Sequence, residues 1–316
     1  MGQNRVIAVM GATGAQGGGL VQAIVDAPDS GFVARAITRT PGSDKARALA
    51  ERGVQVVQAD AEDEASLRDA FDGAYGAFCV TNFWETFSPE REQAQAGNMA
   101  RAAGDRGLKH VIWSTLEDSR KWIPLSDDRM PTLMGKYKVP HFDAKAEADA
   151  LFREAGVPTT YLLTSFYWEN LIFFGMGPKR GEGGRLSMTL PLGERKLPSI
   201  AVADIGACAL GIFQRGDTLI GRRVGVAGEH LTGAQMAADL SRALGEEVVF
   251  QDVPPDVYRG FGFPGAEDLG NMFQFNRDFA DDFCAARDLA FARELNPGLQ
   301  TFAQWLQQNK DRIPVG

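Results

Sequence analysis

Cysteine is scarce in this chain of 316 residues, which contains three, at positions 79, 208 and 284. Three widely separated thiols cannot form a disulfide framework. None of them has a cysteine or histidine neighbour at metal-ligand spacing. We therefore expect reduced thiols, no bound metal and a cytoplasmic location. The start of the chain also lacks the apolar core of a secretory signal.

Long apolar runs and a basic surplus are also missing. The longest uncharged stretch, 155–168, contains Pro158, so we expect no membrane span. Lys and Arg number 33 against 41 Asp and Glu, a net charge of −8. A protein that follows a phosphate backbone carries a basic stripe. We therefore do not expect nucleic acid as a direct partner, although a local pocket for one small anion stays open.

The composition is that of a globular protein, with 44% hydrophobic and 23% charged residues. At about 150 residues per domain, the length corresponds to two domains or one enlarged α/β domain. In the first half, short apolar runs alternate with helical patterns. Strands are predicted at 5–10, 32–38, 54–58, 74–80 and 109–114, and helices at 15–27, 44–52, 64–71 and 89–106. This alternation predicts a parallel sheet covered by helices on both faces.

The pattern changes in the second half. A long loop is predicted over 117–139, then a helix over 140–154, a strand over 159–163 and irregular chain over 175–184. A hairpin is predicted to begin at 185–189, a strand at 222–226, and helices at 202–213, 232–244, 255–260, 266–279 and 297–309. We expect a Rossmann-type doubly wound sheet from 1–156, continued by about 199–228. A smaller, mainly helical C-terminal domain would use 157–198 and 229–316.

The most specific motif is the glycine-rich sequence G-A-T-G-A-Q-G at 11–17, between the first strand and the first helix. In a βαβ unit these glycines allow a tight turn, close approach of a pyrophosphate and close packing of helix on strand. The helix amino terminus then offers free N–H groups to phosphate. This pattern predicts a dinucleotide site. Its predicted contacts are Gly11, Thr13, Gly14, Ala15, Gln16 and Gly17.

The end of the second strand selects the cofactor. An NAD site usually has Asp or Glu there, for the ribose 2′-hydroxyl. This chain has Thr38-Arg39, and a guanidinium suits a 2′-phosphate. We therefore predict NADP(H), with Arg39 as the selector. The alternative is a solvated surface arginine.

Three further polar residues follow the third and fourth strands. Asp60 is placed to meet the adenine amine, and Thr81 and Asn82 face the predicted crevice. We predict that all three contact the cofactor. A turn or helix-cap role is the alternative for each.

Several segments together resemble the NmrA-like family, an atypical branch of the short-chain dehydrogenases/reductases. They are 11–17, 38–39, 80–85, 141–145, 167–170 and 263–269, so the resemblance covers essentially the whole chain. It is strongest to the animal members that sense NADP(H). The resemblance implies cofactor contacts from Phe83, Tyr167, Trp168, Glu169 and Asn170. Taken alone, 166–168 and 173–174 are typical of ordinary core.

A working short-chain dehydrogenase uses Tyr-x-x-x-Lys on one helix face. Lys145 is present here, but His141 stands at the tyrosine position. Tyr137 is eight residues before Lys145, about 12 Å if helical, and Pro140 intervenes. We predict Lys145 as a ribose ligand and catalytic group, with a solvated lysine as the alternative. His141 is a candidate proton donor, or a residue that packs the start of its helix.

Resemblance to the sensors implies NADP(H) binding without efficient turnover, with a protein partner or homodimer as the responding element. The loop 117–139 is the predicted moving part. The alternative is an NADPH-dependent reductase of quinones or other carbonyl compounds that uses Lys145 without the tyrosine. Trp84, Phe87, Trp168 and Phe173 would then line its apolar pocket.

Overall fold

The structure, a computed structural model, describes residues 4–181 and 183–315. Its centre is a seven-stranded parallel sheet in the order β11-β6-β5-β4-β1-β2-β3. The strands are β1 (Arg5–Val9), β2 (Phe32–Thr38), β3 (Gln55–Gln58), β4 (Gly76–Cys79), β5 (His110–Thr115), β6 (Thr159–Leu163) and β11 (Arg223–Gly225). Every residue of β4, β5 and β6 is buried, as expected for strands covered on both faces.

Helices cover the two faces of this sheet. The helices that pack around it are α1 (Ala15–Asp26), α2 (Asp44–Glu51), α3 (Glu64–Phe71), α4 (Pro89–Asp105), α5 (Pro140–Glu154), α7 (Val202–Arg215) and α12 (Leu289–Leu295). One core lies between the sheet and α1, α7 and α12, and another between the sheet and α3, α4 and α5. The side chains of Ser43, Asp63 and Ser88 cap three of these helices, which explains where α2, α3 and α4 begin.

A second lobe has its own core. Its strands are β7 (Phe166–Tyr167), β8 (Lys179–Arg180), β9 (Leu186–Leu190), β10 (Lys196–Ile200), β12 (Glu229–Thr232) and β13 (Val248–Asp252). They form two three-stranded sheets, β12-β10-β7 and β13-β9-β8. The remaining helices are α6 (Asn170–Phe173), α8 (Gly233–Leu244), α9 (Pro255–Arg259), α10 (Ala266–Asp278), α11 (Ala280–Ala285) and α13 (Phe302–Asn309).

The predicted Rossmann-type sheet and helical C-terminal region are confirmed. Of the two small sheets, only the strand at 185–189 was predicted, and it pairs with the preceding β8 and with β13 rather than opening a hairpin with the next strand. The strand β10 was not predicted because it contains Pro198, and proline is rare inside strands. The predicted boundary at 156/157 needs correction, since β6 lies in the main sheet between β5 and β11. The last predicted helix begins at Phe302 rather than at 297.

The segment 117–139 is tightly anchored for a loop. The Lys138 ammonium is buried and donates to the carbonyl oxygens of Asp127 and Met130, each at 2.7 Å. The buried carboxylate of Asp143 accepts from the Ser119 hydroxyl and from the Lys138 amide. These contacts fix both ends of the segment against the start of α5.

Among the described residues, the structure has no helix that is both long and apolar enough to cross a membrane.

Candidate functional site

The strand order defines a crevice at the carboxyl edge of the main sheet. From β1 the chain proceeds to β2 and β3 on one side, and to β4, β5 and β6 on the other. In open α/β sheets, ligands bind where the order reverses in this way. The glycine-rich segment follows β1, Arg39 follows β2, Asp60 follows β3 and Thr81 follows β4. The fold therefore collects the predicted site residues along one edge.

In the glycine-rich segment, the backbone of the first turn of α1 lies close to the backbone at the end of β1. Gly11 has a φ of +62°, which favours glycine, and its carbonyl accepts from the Gly14 amide at 2.8 Å. A Cβ on Gly17 would lie 2.4 Å from the Met10 carbonyl oxygen. Only glycine lets α1 approach the end of β1 this closely. The N–H groups of the first turn of α1 are left available at the crevice.

Arg39 is not free. Its Nη1 lies 2.7 Å from Oε1 of Glu85, in the short 3-10 helix Phe83–Glu85. Both side chains are about half exposed, and the hydrogen bond to Glu85 raises the pKa of Arg39 above its ordinary value. A second arginine, Arg91 in α4, pairs with Glu62 nearby. Asp60 accepts from the Glu62 amide at 3.0 Å, so it stabilises the turn after β3.

Lys145 lies in a buried polar cluster at the end of β4. Its Nζ donates to the hydroxyl of Thr81 at 2.8 Å and to the Thr81 carbonyl at 3.2 Å. The same ammonium lies 2.5 Å from the carboxylate of Glu92, whose side chain is 1% exposed. Its charge is therefore balanced inside the protein, which rules out the alternative of a solvated lysine. Asn82, the next residue after Thr81, is exposed.

His141 is bound to a carboxylate of the second lobe. Its Nδ1 lies 2.6 Å from Oδ1 of Asp268 in α10, and its backbone amide donates to Oδ2 at 3.2 Å. The ring centroid is 4.7 Å from that of Trp84, and Phe83 and Phe142 also border the ring. Asp268 therefore satisfies both the imidazole and a free amide at the start of α5. This enclosure supports the packing role that we offered as the alternative to proton donation.

Gln16 links the glycine-rich segment to two distant elements. Its Nε2 donates to the phenol oxygen of Tyr167 at 2.7 Å, although 151 residues separate the two. Its Oε1 accepts from the hydroxyl of Ser114 at the end of β5, at 2.8 Å. Thr164 lies 3.4 Å from the same phenol oxygen. The network joins a tyrosine of the second lobe to the first turn of α1.

The residues after Tyr167 have structural partners. Trp168 is fully buried against Phe302 and Trp305. The Glu169 carboxylate accepts from the Val202 amide at 2.9 Å and from the Trp305 indole at 3.0 Å. Burial raises the pKa of Glu169, and these hydrogen bonds oppose that shift. The contacts of Trp168, Glu169 and Asn170 with a cofactor stay predictions.

A cavity of about 470 Å³ opens between the start of α5 and the second lobe. Phe83, Phe87 and Phe263 line it together with Pro140, and Arg259 is its basic residue. Phe87 also has a φ of +52°, an unusual value for a bulky residue. The predicted pocket residue Phe87 is therefore present, whereas Trp168 is in the core and Phe173 is 64% exposed.

The Cys79 thiol and the Tyr137 phenol are both buried. Cys79 is fully buried, and desolvation raises the pKa of its thiol far above the ordinary value, so a reactive thiolate is disfavoured. The Tyr137 phenol points to Glu147, with 3.4 Å between the oxygens. In the part of the chain that the structure describes, no group of three or more His, Cys, Asp or Glu side chains is arranged to hold a metal ion.

Comparison with known proteins identifies the family. The sequence profile of the NmrA-like family matches residues 3–306. The chain belongs to the NmrA-like family. It is 27% identical to the NmrA-like family domain-containing oxidoreductase FrzB of a Cladobotryum species, over 86% of this chain and 84% of FrzB.

Solved structures show the same fold. NmrA, a negative transcriptional regulator, was crystallised with NADP and superposes with a TM-score of 0.78 at 22% identity, covering 97% of this chain and 95% of NmrA. NmrA was also crystallised with NAD. The triphenylmethane reductase of a Citrobacter species, in complex with NADP(H), has a TM-score of 0.74 at 19% identity, covering 96% and 99% of the two chains.

Four residues of the site escaped the sequence analysis: Glu85, Glu92, Ser114 and Asp268. Each is a common polar residue without a spacing pattern of its own. Glu85 and Asp268 fall inside the segments 80–85 and 263–269 that carried the family resemblance, which is the signal that points to them. The roles of Glu92 and Ser114 depend on the side chains that folding brings to them.

Proposed function

We propose that this chain binds NADP(H) in the crevice and transfers hydride from it to an apolar carbonyl or quinone acceptor. The observation that carries the proposal is the ammonium of Lys145, held at the end of β4 by Thr81. We propose that a nicotinamide ribose binds beside it and competes with Thr81 and Glu92 for this ammonium. The cavity lined by Phe83, Phe87 and Phe263, which also carries Arg259, Glu267 and Asp268, is the proposed site of the acceptor. The relative FrzB is named an oxidoreductase, and a Citrobacter neighbour is a reductase that binds NADP(H).

The residues present fit such a cofactor. The close approach at Gly17 leaves the first turn of α1 open to a pyrophosphate, as the dinucleotide motif requires. Arg39 follows β2, where NAD-specific sites usually carry an acidic residue. We propose that Arg39 binds the 2′-phosphate, with Asp60, Thr81 and Phe83 as further contacts. When bound, the reduced cofactor supplies the hydride.

Titration of the purified protein with NADPH, NADP⁺ and NADH tests the binding step. NADPH absorbance with a panel of quinones and aromatic carbonyls tests the reaction. We expect NADPH to bind more tightly than NADH, and Arg39→Ala to remove the difference. Lys145→Met should abolish acceptor-dependent oxidation, whereas Lys109→Met, at the surface before β5, should not. Tight binding with no oxidation by any acceptor would contradict the reductase.

The second candidate is a regulator that binds NADP(H) and responds by changing its association with a protein partner or a second copy. One structural path favours it. Arg39 pairs with Glu85, and Glu85 shares a 3-10 helix with Trp84. Trp84 packs on His141, which is bound to Asp268 of the second lobe. A phosphate that takes Arg39 from Glu85 would therefore disturb the contact between the lobes.

This candidate predicts a change of association without consumption of NADPH. Size-exclusion chromatography with light scattering, with and without NADPH, measures it. A shift that disappears in Glu85→Gln would support the path through Trp84. An unchanged mass, together with acceptor-dependent oxidation, would leave the reductase as the function.

A further inference from the structure

The helix α5 has His141 where a short-chain dehydrogenase has its tyrosine, but another tyrosine, Tyr167, lies near the glycine-rich segment. Tyr167 ends β7, a strand of the second lobe that pairs with β10. Its phenol oxygen reaches Gln16 of the glycine-rich segment. The side chain is partly buried, with its oxygen at the edge of the main sheet rather than in the core of its own lobe.

In the hydrogen bonds that link Ser114, Gln16 and Tyr167, the donor and the acceptor of each bond are defined. The Ser114 hydroxyl donates to Oε1 of Gln16, which turns the amide nitrogen toward Tyr167. That nitrogen donates to the phenol oxygen at 2.7 Å, so the oxygen is used as an acceptor. The other hydrogen-bond contact of this phenol among the described residues is the Thr164 hydroxyl at 3.4 Å, in which either group can donate, so no close acceptor holds the phenol proton. A phenol held in this way is prepared to give its proton to a ligand.

The same bonds favour the product of proton loss. Burial raises the pKa of Tyr167, and the hydrogen bonds from Thr164 and Gln16 lower it. A donor to a developing phenolate stabilises the charged form. Removing Gln16 would therefore take away one of the two hydrogen bonds that oppose the desolvation cost.

The network lies beside the lysine that the reaction needs. Ser114 is at the end of β5, and Lys145 is held at the end of β4. β4 and β5 are adjacent in the sheet, and neighbouring strands lie about 4.8 Å apart. The crevice thus has an ammonium on the side of α5 and a phenol on the side of α1. His141, by contrast, is enclosed by aromatic rings and Asp268.

We infer that Tyr167 is the proton donor of the reduction, and that Gln16 and Ser114 are its positioning residues. This inference rests on the proposed reductase function. When bound, NADPH would supply the hydride pair that forms the new C–H bond of the acceptor, and it would leave as NADP⁺. The carbonyl π pair moves to oxygen, which takes the phenol proton, and the acceptor is reduced to the alcohol. The phenolate is held by the Gln16 amide until water returns the proton.

Steady-state and single-turnover kinetics of Tyr167→Phe test the donor. We expect kcat to fall about 100-fold or more, as for loss of a general acid, with the Kd for NADPH changed less than twofold. Tyr161→Phe is the matched control. It removes another buried phenol, which lies on β6 with its oxygen 3.5 Å from the Asp149 carbonyl, and should leave kcat unchanged.

Titration of the free protein gives a readout that does not depend on turnover. The ultraviolet difference absorbance of wild type minus Tyr167→Phe reports tyrosinate at this one position. Gln16→Leu and Ser114→Ala should both shift that titration to higher pH. They should also lower kcat about tenfold and move the alkaline limb of its pH profile in the same direction. An unchanged titration in Gln16→Leu would overturn the positioning role.

The outcomes separate the two proposals. If none of the acceptors supports NADPH oxidation by the wild type, the proposed reductase fails, and the donor role of Tyr167 fails with it. If the wild type is active and Tyr167→Phe is equally active, the inference fails alone. Loss of activity in Lys145→Met but not in Tyr167→Phe would assign proton donation to the lysine.

Discussion

The guanidinium of Arg39 and the carboxylate of Glu85 form an ion pair of 2.7 Å at the position where we place the 2′-phosphate. The two residues come from the ends of different strands, β2 and β4. A cofactor with a 2′-phosphate therefore competes with a side chain for its main cation, whereas a cofactor with a 2′-hydroxyl does not. Glu85 should weaken NADPH binding selectively.

Glu85→Gln should tighten NADPH binding roughly threefold, because an exposed ion pair contributes up to about 1 kcal/mol. NADH affinity should stay the same. Calorimetric titration measures both. Glu90→Gln removes one negative charge from the nearby first turn of α4 without touching Arg39, and is the control. A similar gain in Glu90→Gln would mean that overall charge, not the pair, sets the affinity.

Gly17→Ala should lower the free energy of unfolding by about 1–3 kcal/mol, as overpacking does. Its Cβ would lie 2.4 Å from one carbonyl oxygen and 2.5 Å from another, so α1 must move away from β1. NADPH binding should weaken as well. At Gly18 the nearest atom is 3.3 Å from the added Cβ, so Gly18→Ala should be nearly neutral. Chemical denaturation checks both, and equal effects would contradict the close approach.

Arg287→Met should destabilise the protein by about 3–5 kcal/mol, the cost of breaking a buried ion pair by removing one partner. Arg287 is fully buried and binds both carboxylate oxygens of Glu117, at 2.6 and 3.1 Å. It also donates to the Thr164 carbonyl. The double variant with Glu117→Gln should lose less than the two single losses added together. Additive losses in denaturant titrations would show that the pair is not coupled.

Stability should fall as the pH drops below 6.5, in part because of His110. Burial lowers the pKa of His110 from 6.5 to about 4. The unfolded chain therefore takes up a proton at this residue before the folded protein does. The contribution of His110 to the free energy of unfolding is therefore fully present above pH 6.5 and is lost as the pH falls from 6.5 to 4. The loss is up to about 3 kcal/mol at 1.36 kcal/mol per pKa unit.

His110→Leu should have a shallower dependence of stability on pH across that window. Denaturation at a series of pH values measures the difference between wild type and variant. His230→Gln is the comparison variant. The pKa of that half-buried histidine is also lowered, but by less, so its removal should flatten the dependence less than His110→Leu does. Parallel curves for wild type and His110→Leu would exclude His110 as the cause.

The main sheet was predictable from sequence because its signals are local. Each strand is a short apolar run, and the glycine-rich segment stands at its expected place after β1. The second lobe was harder. β9 pairs with β13 about 60 residues later, and β10 contains a proline. Such strands are set by partners distant in the chain, which periodicity does not reveal.

The site residues likewise fall into two groups, those marked by a local sequence signal and those set by contacts between distant parts of the chain. Lys145 and Arg39 were predicted because a family pattern or a strand end marks each position. The proton donor, however, was predicted only at His141, close to Lys145 in the chain. Tyr167 joins Gln16 across 151 residues, and no spacing rule connects them. The sensor interpretation rested on the resemblance to the sensors and on that missing tyrosine, so the network at Gln16 bears on the second of these two grounds.

The order of the strands along the chain also governs how the molecule is assembled during synthesis. β9 is made before β11, the edge strand of the main sheet, but its parallel partner β13 follows both. β7 and β10 likewise wait for β12. On a ribosome, which releases chain amino terminus first, the nucleotide-binding half can fold early. The sheet that holds Tyr167 is complete only when β12 has been made, at Thr232, so a product that ends before this residue would lack the contact between the phenol and Gln16.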